Sequence, residues 1–140
     1  MIFWDSSAIL PLCINETMTS TVKKAVIGDP DMVVWWGTRV ECVSALSRRL
    51  REGTIGAAAI EQVRSLLAEL VRQWHEVLPT ETVRQRAERL IMVHPLRAAD
   101  SLQLAAALAW TQEEPNCALM ACLDQNLRNV AAKEGFTVLP

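Results

Sequence analysis

Short apolar runs, each too brief for a helix, alternate along this chain with longer segments of helical spacing, and that alternation constrains the fold more than any other feature. Ile2-Phe3-Trp4 opens the chain and stops at Asp5-Ser6-Ser7, as a buried strand does where it meets a helix cap. A helix through Ala8 to Cys13 should follow, with Pro11 tolerated because it lies near the first turn. Glu16 to Ile27 reads as a second helix, closed by Gly28-Asp29-Pro30. Met32 to Trp36 is β-branched and aromatic and reads as a second strand.

Thr38 has the chemistry of an N-cap for a helix to about Glu52, with Val43, Leu46 and Leu50 at helical spacing. From Ala57 to about His75 the positions Ile60, Val63, Leu67, Leu70, Val71 and Trp74 make a long amphipathic helix. Val77-Leu78-Pro79 is a minimal strand, and Thr80 caps a helix to about Val93, stopped by His94-Pro95. Ser101 to Trp110 is apolar nearly all round, so this helix should be buried on most sides. Ala118 to Leu123 is an unbroken apolar run ending at Asp124, the signature of a strand covered on both faces. Asn126 to Glu134 is helical, Gly135 caps it, and Phe136 to Leu139 forms a last strand.

The reading is an α/β fold: a mostly parallel central sheet of four to five strands flanked by helices, in one domain over residues 1–140. The hydrophobic fraction of 51% against 21% charged residues excludes a disordered chain. The first residues carry no basic segment ahead of their apolar run, and no window approaches the ~18 apolar residues of a membrane span. A cytoplasmic protein without membrane contact is expected. The four cysteines form no CxxC pair and lie far from His75 and His94. They read as small buried hydrophobes in a reducing compartment, not as zinc ligands. A net charge of −2 gives no global field toward polyanions. The arginine groups Arg48, Arg49, Arg51 and Arg84, Arg86, Arg89 read as solvated helix faces.

In folds of this class the functional site lies beyond the carboxyl ends of the strands, near a topological switch point. Asp5 and Asp124 stand there, directly after the first and fourth strands. Asp100 begins the most buried helix, and Glu41 lies between Val40 and Cys42. Each aspartate alone could be a helix cap, and Glu41 could reach solvent or pair with Arg39, Arg48 or Arg97. Carboxylates among apolar neighbours are seldom buried unless paired or bound to metal. Converging carboxylates ~4 Å apart would repel by about 4 kcal/mol at an effective dielectric of ~20. A divalent cation relieves that conflict, and an all-oxygen donor set suits Mg²⁺ or Mn²⁺.

The segments Ile2 to Leu10, Val40 to Leu46, Leu96 to Leu108, and Leu123 to Leu127 with Glu134-Gly135-Phe136 together resemble, in order and spacing, the four motifs of PIN-domain proteins. The likeness extends over essentially the whole chain and is nearest to the VapC toxins of bacterial and archaeal toxin–antitoxin pairs. It implies a PIN fold and a Mg²⁺- or Mn²⁺-dependent endoribonuclease acting on single-stranded RNA. It also implies a homodimer and an inhibitory VapB-like antitoxin. By position, Asp5, Glu41, Asp100 and Asp124 match the family's four catalytic acids, with Asp5, Asp100 and Asp124 as the metal ligands. Ser7 matches a polar position that supports the site. Cys122 stands where the family often has Thr or Ser, which are stronger hydrogen-bonding groups.

The mechanism the resemblance implies is hydrolysis of an RNA phosphodiester by water, leaving 3′-hydroxyl and 5′-phosphate ends. A haloacid-dehalogenase-like phosphatase would need a second acid two positions after the first, where this chain has Ser7. The remaining rivals are a non-toxin PIN ribonuclease and a catalytically silent PIN-like module that binds RNA or protein. Trp35, Trp36 and Trp110 are candidates for base stacking, although a core role is the preferred reading.

Overall fold

A computed structural model describes residues 1–140. Its elements are β1 (Ile2–Trp4), α1 (Ser6–Cys13), α2 (Thr19–Gly28), β2 (Met32–Trp35), α3 (Thr38–Arg51), α4 (Ala57–Val71), β3 (His75–Val77), α5 (Glu81–Val93), α6 (Ala98–Trp110), β4 (Leu119–Ala121), α7 (Gln125–Lys133) and β5 (Thr137–Leu139). The five strands form one sheet in the order β3-β2-β1-β4-β5, with every pairing parallel. Phe3 in the central strand is in register with Val33 on one side and Met120 on the other.

Strand alternation sorts the side chains into two cores. Ile2, Trp4, Met32 and Val34 face the layer of α1 to α4, where they meet Ile9, Cys42, Leu46, Val63 and Leu67. Phe3, Val33, Trp35 and Met120 face the layer of α5 to α7, where they meet Leu90, Leu104, Leu127 and Val130. Both faces of the sheet are covered, which is why its inner strands β1, β2 and β4 are apolar throughout. The chain moves outward from β1 through β2 to β3, then returns to place β4 on the other side of β1. The switch point therefore lies between β1 and β4, the strands that run into Asp5 and Asp124.

Several boundaries differ from the sequence reading. Thr38 is the first helical residue of α3 and not its N-cap; Gly37 holds that place without a side-chain cap. The Thr38 hydroxyl is buried and engaged elsewhere in the fold. Val43 and Leu50 are exposed, and of the expected α3 stripe only Leu46 reaches the core. α2 begins at Thr19, where the Thr19 hydroxyl accepts from the Glu16 amide at 2.8 Å and donates to the Ile14 carbonyl at 2.9 Å. α4 ends at Val71, freeing His75–Val77 to pair with β2. That edge strand replaces the one expected over residues 77–79. α1 begins at Ser6, so Pro11 falls in its second turn, and the helix ends at Cys13. Cys13, Cys42 and Cys122 are buried as expected, whereas Cys117 is exposed. No helix is long and apolar enough to cross a membrane.

Candidate functional site

Asp5 is buried at the carboxyl end of β1 and caps α1. Its Oδ2 accepts from the Ser7 amide at 3.0 Å and from the Ser7 hydroxyl, with Cys122 Sγ at 3.7 Å. Asp124 caps α7 through its Oδ1, which accepts from the Leu127 amide at 2.8 Å. Ser7 joins the two strand ends: its hydroxyl also accepts from the amides of Leu123, at 2.9 Å, and Asp124, at 3.3 Å.

Glu41 lies in the first turn of α3 and Asp100 in the first turn of α6. Glu41 Oε2 accepts from the Ser6 hydroxyl and from Gln103 Nε2, each at 3.0 Å. None of the arginines considered from the sequence pairs with it. In Asp5, Glu41 and Asp124 alike, the protein's hydrogen bonds gather on one carboxylate oxygen and leave the other without a protein donor.

The acids share one electrostatic neighbourhood. Burial raises the Asp5 carboxyl above its ordinary range, against the opposing bonds from Ser7 and Cys122. Burial also raises Glu41; Gln103 and Ser6 oppose this, and the charges of Asp5 and Asp100 add to it. Asp100 is raised by burial and then by the charges of Asp124 and Asp5, with the Arg97 backbone and side chain pulling the other way. No Lys or Arg forms an ion pair with any of the four acids. As the side chains stand, no three His, Cys, Asp or Glu residues form a ready-made cage for a metal ion. The donor chemistry nonetheless fits a hard divalent cation: carboxylate oxygens only, in a cluster of like charges that no salt bridge neutralises.

No protein-family model matches the chain. Two curated proteins do: Ribonuclease VapC45 of Mycobacterium tuberculosis strain CDC 1551 and Ribonuclease VapC49 of strain H37Rv. Each is 31% identical over 153 residues, an alignment that takes in 100% of this chain and 95% of the relative. The chain belongs to the VapC family of PIN-domain proteins. Among solved structures, M. tuberculosis VapC20, described as a sarcin-ricin loop cleaving toxin, superposes with a TM-score of 0.70 at 17% identity and full coverage of both chains. FitAcB from Neisseria gonorrhoeae superposes with a TM-score of 0.68 at 14% identity, covering 100% of this chain and 97% of that one. At such identities the structural likeness carries the PIN fold alone.

The family's motif order explains why acids 119 residues apart in this VapC-family chain, Asp5 and Asp124, flank one switch point. Sequence reasoning did not find Ser6, Thr38 and Gln103. Gln103 was visible as the one amide within an apolar helix, three positions after Asp100 and therefore on the same face. Trp36 is half-exposed just past β2, with its ring edge-on to the buried Trp35 at 6.5 Å. Trp110 packs against Phe3 at 6.3 Å. Of the arginine groups expected on solvated faces, Arg48, Arg51, Arg84 and Arg89 are exposed, whereas Arg49 and Arg86 are part-buried. Arg84 pairs with Glu81 within its own helix, and Arg49 with Glu16, Arg86 with Glu113 and Arg89 with Glu134 pair across the fold.

Proposed function

We propose that this protein is a Mg²⁺- or Mn²⁺-dependent endoribonuclease that hydrolyses RNA phosphodiesters as the toxin of a VapBC toxin–antitoxin pair. The observation that carries the reading is a set of four acids at the carboxyl edge of the sheet, three of them raised by burial and none paired with a cation. The names of the two curated relatives, both ribonucleases, support it.

Asp5, Asp100 and Asp124 would hold the cation, Asp5 and Asp124 through the oxygen that receives no protein donor. Bound there, a divalent ion supplies charge stabilisation for an in-line displacement at phosphorus. The chain's own contribution is geometry. Ser7 fixes Asp5 against the backbone before Asp124, so the two strand ends cannot drift apart. Glu41, held at Oε2, presents Oε1 as the candidate base for a water proton. Asp5 is buried and Glu41 part-buried, which places these carboxylates in a lower-dielectric setting where their interactions with charge are strengthened. The RNA substrate enters at an acidic edge, so its phosphates also depend on the cation for approach. A VapB-like antitoxin and a homodimer complete the proposed assembly.

The test is cleavage of total RNA by purified protein with Mn²⁺, with EDTA and with Asp5→Asn. Cleavage with Mn²⁺ that stops in both other cases is the expected result. Unchanged cleavage by Asp5→Asn rules out the site. Failure of Mn²⁺ either to raise the thermal midpoint or to promote cleavage favours a silent binding module.

A further inference from the structure

The inference drawn here deepens the nuclease reading and rests on it. α6 is apolar almost all round, yet Gln103 sits fully buried between Leu102 and Leu104. A buried amide is unfavourable unless its donors and acceptor are satisfied. Both Nε2 protons are used: one reaches Thr38 Oγ1 at 3.0 Å and the other Glu41 Oε2 at 3.0 Å. The Thr38 hydroxyl lies 3.4 Å from Gln103 Oε1 and donates back to it. Because an ionised carboxylate only accepts, the amide must present its nitrogen to Glu41, which fixes its orientation.

The partners share helix faces. Thr38 and Glu41 are three residues apart on α3, and Asp100 and Gln103 are three residues apart on α6, so each pair lies on one face. The turn of α6 that presents Asp100 thus also presents the amide that grips Glu41. Ser6, directly after Asp5 at the start of α1, donates to the same Glu41 oxygen. One oxygen of Glu41 is therefore held from both helices that neighbour the other acids, and its second oxygen receives no protein donor.

We infer that Gln103, braced by Thr38 and assisted by Ser6, is a positioning residue that sets the free oxygen of Glu41 relative to Asp5 and Asp100. It acts through Glu41 and has no contact of its own with substrate. Replacing Gln103 and Thr38 together by apolar groups of similar shape leaves nothing unsatisfied between them, and Glu41 Oε2 keeps the Ser6 hydroxyl as a donor, so the cost to the fold is small while the positioning is lost.

The experiment pairs Thr38→Val/Gln103→Met with Ser6→Ala, Glu41→Ala and their combinations, measured with Mn²⁺ on a short single-stranded RNA. Thr38→Val/Gln103→Met should keep the thermal midpoint of wild type while kcat falls at least tenfold and KM changes less than twofold. Ser6→Ala, at a partly exposed position, should give the same split to a smaller degree. Neither change should lower kcat further once Glu41 is alanine. In the wild-type protein the Gln103 side-chain amide protons, assigned by their loss in Gln103→Met, should exchange slowly with solvent and faster in Glu41→Ala. Wild-type cleavage by Thr38→Val/Gln103→Met, losses that multiply with Glu41→Ala, or fast exchange in the wild type would each overturn the inference and leave the nuclease reading intact. Wild-type protein that cuts no RNA with Mn²⁺ sinks both.

Discussion

The hydroxyl of Ser7 accepts the backbone amide of Asp124 at 3.3 Å while donating to Asp5, so one oxygen atom sets the distance between two acids 119 residues apart. Ser7→Ala should cost about 2 kcal/mol, because the amides of Leu123 and Asp124 lose their acceptor together. Cleavage should fall with it, and Ser7→Thr, which keeps the hydroxyl, should restore most of both. Urea unfolding of the three proteins checks the order; a Thr variant as weak as the Ala variant contradicts the bridging role.

Without metal, the acid cluster should make the fold less stable at neutral than at acid pH. Asp5, Glu41 and Asp100 are all raised, burial being the first cause in each. A carboxyl that binds its proton more tightly in the folded chain contributes stability below its ordinary value, 3.8 for Asp and 4.5 for Glu, and that contribution is lost as pH rises through the raised value. In EDTA, Asp100→Asn should therefore melt higher than wild type at neutral pH, and the difference should disappear toward about pH 4. Mn²⁺ should then raise the wild-type midpoint more than that of the variant. A gain of equal size at both ends of the pH range excludes charge as its source.

The parts of this fold that declare themselves in sequence are those governed by local chemistry. Thr80 caps α5 by accepting from the Val83 amide, Gly135 closes α7 in the left-handed region, and the apolar spacing of α6 predicts its burial. Asp5 and Asp124 were legible because each ends an apolar run. What distant residues decide was not legible. Thr38 has the chemistry of a cap, but its hydroxyl is claimed by Gln103, 65 residues away. Val43 and Leu50 keep helical spacing, but they stay exposed along an open groove beside Ile60 and Arg64 of α4. β3 has one neighbour only, so His75 and Glu76 can be polar and exposed without the alternation that marks a strand.

Arg128 ties the last strand to the site. Its Nη1 donates to the Cys122 carbonyl at 2.6 Å and the Leu139 carbonyl at 3.0 Å, and its Nη2 to Pro140 O at 2.7 Å. Arg128→Met should cost about 2 kcal/mol, the range for hydrogen bonds to a charged group, since the Cys122 and Pro140 carbonyls lose this donor while the Leu139 carbonyl keeps only the Cys122 amide. The loosened segment includes Cys122, two residues before Asp124, so cleavage should weaken as well. Hydrogen exchange at Thr137–Leu139 is the direct measurement: protection that survives the substitution shows that β4 pairing alone holds β5.

Gly37 precedes α3 with an ordinary helical backbone, φ −73° and ψ −13°, so its need for glycine is spatial, not conformational. A Cβ there would lie 2.5 Å from Trp35 Nε1, closer than a tolerated contact, and 3.0 Å from Trp35 Cδ1. Trp35 cannot yield freely, because its ring is buried in the core beneath α5 and α6. Relief must come from a shift at the start of α3, the turn that carries Thr38 and Glu41. Gly37→Ala should thus cost about 1–3 kcal/mol, as overpacked cores do, and should reduce cleavage through displacement of Glu41. Adding Trp35→Phe removes the indole nitrogen and part of the clash. If that second change restores stability and cleavage together, close approach of the indole is what Gly37 permits; restored stability without cleavage assigns the loss to another cause.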